Sequence, residues 1–232
     1  MSLELLKDMK KRIDLLKKDN EIKIIIIKGK GPAFCVGHDI NELVGKHDLT
    51  HFKNIFRTCS NLMLDLQKLR QPVIAQVHGV ALAAGCQLVA ACDLAICDNK
   101  TKFSTPGVKI GLFCSTPMVP LSRLIGPRRA LDMLFTGRYV FADEAKKFGL
   151  VNKVVESEKL QKETEKWANE ISKYSRKTLE IGKKAFYKQI DMDEQSAYNI
   201  AKDIIAENCL TYDAQEGMSA FLDKRKPNWK DQ

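Results

Sequence analysis

The sequence has no long apolar run, no Cys-x-x-Cys pair, no low-complexity linker and no tandem repeat. Runs such as Ile24 to Ile27 fall far short of the roughly 20 apolar residues that a membrane-crossing helix needs, so no membrane span is expected. No secretory pattern opens the chain either, since Met1 leads straight into an amphipathic, lysine-rich stretch. The seven cysteines, at 35, 59, 86, 92, 97, 114 and 209, are odd in number and scattered. That spacing gives no support to a zinc site, and the mostly aliphatic neighbours predict free, buried thiols in a reducing compartment. Acidic charge is the scarcer sign, 29 Asp and Glu against 38 Lys and Arg, a net +9. Such a balance suits nucleic acid, anionic lipid or a small polyanion such as a nucleotide-bearing cofactor, and composition does not choose among them.

What is present reads as an ordered domain. A length of 232 residues suits one large domain, or a domain with an appendage, and 44% apolar residues exclude disorder. Leu3, Leu6, Met9, Ile13 and Leu16 recur at spacings of three and four, predicting a helix within Ser2 to Lys18, with Ser2 as N-cap and Asn20 as stop. The β-branched run Glu21 to Ile27 predicts a buried strand, followed by a turn at Lys28 to Pro32. A helix is expected over Leu49 to Leu69, a strand over Pro72 to Val77, a small-residue helix over Ala84 to Cys92 and a strand over Asp93 to Cys97. Strands separated by helices define an α/β class with covered sheets. Beyond Glu158 strand signals vanish. Helices are expected over Lys159 to Ser172, Arg176 to Ile190, Glu194 to Asn208 and Ala214 to Leu222. The division is therefore an α/β body over 1–157 and a helical region over 158–232.

Two glycine-flanked stretches carry the chemistry: Ala33-Phe34-Cys35-Val36-Gly37-His38-Asp39-Ile40, and Gly79 through Gly85 into Cys86-Gln87-Leu88. Each follows a strand and a tight turn, and the second runs into a helix. A helix N-terminus offers unpaired N–H groups and partial positive charge, and small residues there admit a ligand carbonyl. Two such loops together suit an oxyanion hole. A plain strand-to-helix connection explains either one taken alone.

These stretches, with Pro72-Val73-Ile74-Ala75, Leu134-Phe135-Thr136-Gly137, Ala142-x-Glu144-Ala145, Gly149-Leu150-Val151 and Gly217 to Pro227, resemble the crotonase (enoyl-CoA hydratase/isomerase) superfamily. The resemblance runs nearly the whole chain. Within the family, Ser104 to Val108, Gly111 to Pro117 and Ala185 to Gln189 look most like a mitochondrial branch linked to fatty-acid metabolism. The resemblance implies a ClpP-like spiral of ββα units, with the C-terminal helices building a homotrimer or a dimer of trimers. It also implies that the strand hairpin family members carry before the first helix is missing from this sequence.

Residue by residue, the resemblance makes the backbone N–H groups of His38 and Ala84 the oxyanion-hole donors. Ala33, Val36, Gly37, Asp39, Ile40 and Gly85 then line the acyl-CoA site, with Asp39 orienting the first loop. Phe221 and Lys224 match an aromatic and a lysine that reach the adenine and a phosphate of a neighbouring subunit's CoA. No cofactor is implied; a coenzyme A thioester is the ligand. The two hydratase glutamates, however, fall on Gln87 and Gly107, and neither an amide nor a glycine moves a proton near neutral pH. The expected reading is an acyl-CoA-binding protein for which ordinary enoyl-CoA hydration is lost. One alternative is an enzyme on another acyl-CoA thioester, of isomerase, decarboxylase, hydrolase or weak hydratase type, with a substitute acid or base such as His38. Cys114 and Ser115 border the acyl pocket in this reading, whereas His78 and Glu144 are expected to be structural. A second alternative is an RNA-binding member using Lys7, Lys11 and Lys18 of the first helix. Without an RNA-recognition motif or stacking aromatics, a solvated helix face is the expected account of those lysines, and nucleic acid is not an expected partner.

Overall fold

The computed structural model describes residues 1–46 and 48–232. Helix α1 (Leu3–Leu16) starts where Ser2 accepts a hydrogen bond from the Leu5 N–H, the predicted cap. Strand β1 (Ile25–Lys28) is shorter than expected. The Asp19 carboxylate accepts the N–H groups of Glu21 and Ile22 and so holds the first residues of the β-branched run in a turn. Helix α2 (Leu49–Lys68) is capped by Asp48. It is followed by β2 (Val73–Val77), β3 (Val80–Leu82), α3 (Ala84–Ala91), β4 (Leu94–Asp98) and β5 (Lys102–Ser104). A 3-10 turn over Pro106–Ile110 leads to α4 (Ser115–Ile125) and α5 (Pro127–Thr136). Then come β6 (Val140–Phe141), α6 (Ala142–Phe148) and β7 (Lys153–Val155). After β7 the chain is helical: α7 (Leu160–Ile171), α8 (Arg176–Gln189), α9 (Glu194–Cys209) and α10 (Tyr212–Leu222).

The strands form two sheets, a parallel one ordered β1-β2-β4-β7 and a smaller one ordered β3-β5-β6. Successive turns of chain place one strand in each sheet before a helix returns: β2 then β3 then α3, and β4 then β5 then the 3-10 turn and α4. This is the expected α/β spiral of ββα units. The first turn joins through a single bridge, Cys35 beside Ala81.

Burial explains why β2 carries no polar face. Val73, Ala75 and Val77 pack in the main core with Cys59, Leu62 and Leu66 of α2, while Ile74 joins Ile96, Leu160 and Ala168 under α7. Both faces of the parallel sheet are thus covered by helices. Among the described residues, no helix is long and apolar enough to cross a membrane.

Two polar clusters pin the layers together. Lys10 of α1 and Lys17, its C-cap, each meet Asp65 of α2 at 2.9 Å and share Asp14 as well. Burial alone would raise the Asp65 carboxyl, but the hydrogen bonds from Lys17 and Lys10 outweigh it and hold it below the usual carboxylate range. A depressed carboxylate stabilises the fold above its unfolded pKa, and that contribution is lost as pH falls through the folded value. Asp65→Asn should therefore flatten the stability–pH curve below about pH 4, checked by urea melts across the acid limb. An unchanged curve would mean that other carboxylates set the acid sensitivity.

The second cluster docks the helical C-terminal region. The nearly buried Lys183 ammonium of α8 donates to the Leu66 and Gln71 carbonyls at 2.9 and 3.0 Å, and meets Asp93 at 2.6 Å. Asp93 also accepts the Tyr187 hydroxyl at 2.8 Å and the Val73 N–H at 2.6 Å. Burial lowers the Lys183 pKa although Asp93 opposes it, and burial beside that carboxylate raises Tyr187.

Candidate functional site: a cleft between two amides

Two consecutive turns of the spiral bring the 33–40 loop against the start of α3. The Cys35 N–H donates to the Val80 carbonyl at 3.2 Å, and the Leu82 N–H donates to the Cys35 carbonyl at 2.8 Å. Glycine is required at two points of the contact. A Cβ on Gly85 would lie 2.2 Å from the Cys35 carbonyl oxygen. Gly37 has φ +100°, and a Cβ there would meet Ala83 Cβ at 3.1 Å and the Ala84 nitrogen at 3.7 Å. The His38 peptide, which follows Gly37, therefore stands beside the first amide of α3.

Ala83 has φ +49° and ψ −116° without being glycine. Such a conformation costs about 1–3 kcal/mol and clusters at functional sites. Its N–H donates to the Ser104 carbonyl at 2.9 Å and its carbonyl accepts the Gln87 N–H at 3.0 Å, which fix the turn from both sides. Helix geometry then leaves the Ala84 N–H without an intrahelical partner. Neither the His38 nor the Ala84 N–H donates to a protein backbone acceptor among the described residues.

The other predicted residues of the first loop lie on either side of His38 in the chain. Ala33 is half-buried, and its carbonyl oxygen lies 2.5 Å from where a Cβ on Gly29 would sit. Val36 and Ile40 stand exposed. Asp39 caps the short 3-10 turn Ile40–Glu42, accepting the Asn41 N–H at 3.0 Å, so its carboxylate does hold the loop. The Asp39 N–H donates to the Met1 carbonyl at 3.1 Å and Glu42 accepts the Leu3 N–H, which seats the start of α1 on the same loop.

The His38 ring packs edge-on against Phe56 of α2, with centroids 5.3 Å apart. Both ring nitrogens are sealed from solvent, and burial lowers the imidazole pKa, with the nearby chain amino group adding to it and the Met1 backbone and Glu42 opposing it. The imidazole is thus occupied with packing against Phe56.

The two degenerate positions differ in kind. Gln87 lies on α3, 3% exposed, with its Oε1 buried and unpartnered. Gly107 is buried in the 3-10 turn, and a Cβ there would lie 2.5 Å from the Leu112 carbonyl oxygen and 2.8 Å from the Cys114 sulfur. The space a side chain would need is already filled. Thr105, two residues before, is fully buried with an unpartnered hydroxyl, a feature the sequence did not reveal.

Cys114 itself is 8% exposed and burial raises its thiol pKa, so it is a poor nucleophile. Cys59, Cys86 and Cys97 are pushed up to about 12 by burial. The expectation of buried thiols fails at Cys209, which is exposed at the end of α9 because that helix buries no residue fully. His78 donates through Nε2 to the Gly31 carbonyl at 2.8 Å. Glu144 forms a two-pronged pair with Arg138 at 2.7 and 2.9 Å, and those bonds lower its pKa. Both are structural here.

Phe221 and Lys224 are not part of the cleft in a single chain. They sit at the end of α10, which packs against α8 and α9, and Phe221 is 82% exposed.

A ββα spiral that sets a glycine-rich loop against a strained helix start defines the chain's class, and comparison bears this out. The chain belongs to the enoyl-CoA hydratase/isomerase family, whose model matches residues 1–232. It is 44% identical over 229 residues to the Mus musculus protein named Enoyl-CoA hydratase domain-containing protein 3, mitochondrial, covering 99% of this chain and 76% of that one. The Dictyostelium discoideum protein named Probable enoyl-CoA hydratase, mitochondrial, is 35% identical, over 97% of this chain and 80% of that one. Among solved structures, human enoyl Coenzyme A hydratase domain-containing protein 3 superposes with a TM-score of 0.96 at 45% identity, covering 98% of this chain and 90% of that one. The Mycobacterium smegmatis enoyl-CoA hydratase gives a TM-score of 0.97 at 42% identity, covering 99% and 89%.

Proposed function

We propose that the protein binds acyl-CoA thioesters in the cleft between the His38 and Ala84 amides and no longer performs ordinary enoyl-CoA hydration. The carrying observation is the packing at Gly107, where the Leu112 carbonyl and the Cys114 sulfur occupy the room a catalytic side chain would take. Preorganised N–H donors are worth roughly 3–4 kcal/mol each to an oxygen that gains negative charge, and both donors here are backbone groups that substitution does not remove. A thioester carbonyl seated there would be polarised toward its enolate. Water activation needs a positioned acid and base, each worth typically about 10²–10⁴-fold. Gln87 supplies neither, and the Phe56-packed His38 ring does not replace it.

The mitochondrial names of the relatives support a place in that compartment and in acyl-CoA metabolism. Exposed Leu210, Met218, Phe221 and Leu222 on the C-terminal helices favour a homotrimer or a pair of trimers in which Phe221 and Lys224 reach a neighbouring subunit's CoA. Lys7 and Lys11 on α1 and Lys18 in the turn beyond it stand exposed, as a solvated surface does, and no stacking aromatic accompanies them to favour RNA.

The test is a panel of enoyl-, dienoyl- and malonyl-type CoA esters, with turnover followed by mass spectrometry and binding by calorimetry. Binding with crotonyl-CoA left unhydrated is the expected result. Hydration at ordinary enzyme rates overturns the lost-hydratase reading, and failure of every ester to bind overturns the cleft itself. Turnover of another ester would instead establish an enzyme with a substitute acid or base.

A further inference from the structure

The turn that carries Phe221 and Lys224 is held by an ion-pair network. Lys224 has φ +54°, a left-handed conformation that a side chain-bearing residue adopts only when its surroundings enforce it. The enforcing contacts are explicit. Arg225 meets both carboxylate oxygens of Glu216, one turn and more back on α10, at 2.7 and 2.9 Å. The same Glu216 accepts the Asn228 N–H at 2.7 Å, and the Arg225 N–H donates to the Ala220 carbonyl at 2.9 Å. The Trp229 ring lies against Gly217, where a Cβ would come within 3.0 Å of it, and its indole N–H donates to the Lys173 carbonyl at 2.8 Å. The Arg225 and Asn228 bonds pull the Glu216 carboxyl down to about 2.

Charge distribution adds a second observation. Arg225 also reaches Asp223 at 3.4 Å, and Ser219 donates to that same carboxylate at 3.2 Å. The two carboxylates nearest in the turn are thus engaged by Arg225. Among the described residues, Lys224 forms no ion pair, although it adjoins Asp223 in sequence.

We infer that Glu216 and Arg225 are positioning residues: they lock the post-α10 turn in its left-handed form and keep its carboxylates off Lys224, so that the ammonium is presented to a CoA phosphate. This rests on the proposed CoA role of Phe221 and Lys224. Preorganisation of this kind tightens binding by removing the ordering cost that a mobile turn would carry.

Simple electrostatics and positioning predict opposite signs for one variant. Glu216→Ala removes a negative charge near the phosphate site, which by charge alone would tighten an anionic ligand. Positioning predicts weakening instead, by about tenfold for butyryl-CoA measured by calorimetry on the intact oligomer. Glu216→Asp, which keeps the carboxylate, should recover most of that loss. Butyryl-pantetheine, which lacks the nucleotide phosphates, should bind wild type and Glu216→Ala alike when followed by ligand-observed NMR. Unchanged or tighter butyryl-CoA binding by Glu216→Ala overturns the inference, and so does an equal loss on both esters, which would report a damaged fold. Lys224→Ala separates the layers. If it leaves butyryl-CoA affinity intact, the CoA role of Lys224 is wrong; if it weakens binding while Glu216→Ala does not, only the positioning role fails.

Discussion

Asp93→Ala is expected to destabilise the protein by about 3–5 kcal/mol, the cost of stranding one member of a buried ion pair. Lys183 would keep its two carbonyl partners but lose its counter-charge at a site where its side chain is only 6% exposed. The Val73 N–H and the Tyr187 hydroxyl would lose their acceptor in the same step. Tyr187→Phe removes a single hydrogen bond and should cost about 1 kcal/mol. Urea denaturation of the two variants provides the comparison. Should Asp93→Ala prove no more costly than Tyr187→Phe, the cluster would be an ornament of the packing and not the anchor of α8.

The other large effect concerns Gly107. Replacing it with glutamate, alone or with Gln87→Glu, should fail to restore hydration of crotonyl-CoA and should destabilise the fold. Overpacking of a well-filled site typically costs about 1–3 kcal/mol. Here one obstructing atom is a backbone carbonyl, Leu112 O at 2.5 Å from the new Cβ, so a rotamer change cannot relieve the clash. Truncating Cys114 as well would remove only the sulfur at 2.8 Å. Gln87→Glu by itself would place a carboxyl where burial raises its pKa, without the second group that a proton relay needs. A Gly107→Glu variant that melts like wild type and hydrates crotonyl-CoA briskly would refute the packing argument at Gly107.

Legibility in the sequence followed the range of the forces involved. Helices α1, α2, α8 and α9 were readable because a 3.6-residue apolar rhythm needs only local sequence. Strand β2 was readable from its β-branched run, although its burial on both faces depends on α2 and α7. The second sheet was not read as strands: β3 and β5 have three residues each and β6 two, too few for an alternating pattern to register. Helix α4 was masked by Pro117, tolerated in its first turn, and by Pro120 inside it. At the cleft, Gly37, His38 and the Ala83–Gly85 stretch stood out through their small residues. The strain at Ala83 and the crowding of Gly107 by Leu112 and Cys114 did not, since both arise from contacts between separate turns of chain. The Asp93–Lys183 pair joins residues 90 positions apart, and no local rule points to it.

The Cys35–Ala81 bridge ties the first loop to β3. That single rung, with its 3.2 and 2.8 Å hydrogen bonds, holds the loop before His38 against the strand before Ala84. It opens only by breaking these backbone hydrogen bonds, not by side-chain motion. Gln87 lies one turn further along α3 and Gly107 in the 3-10 turn, and neither belongs to that rung. Residues at positions 87 and 107 can therefore be exchanged without touching the rung that ties the two loops together.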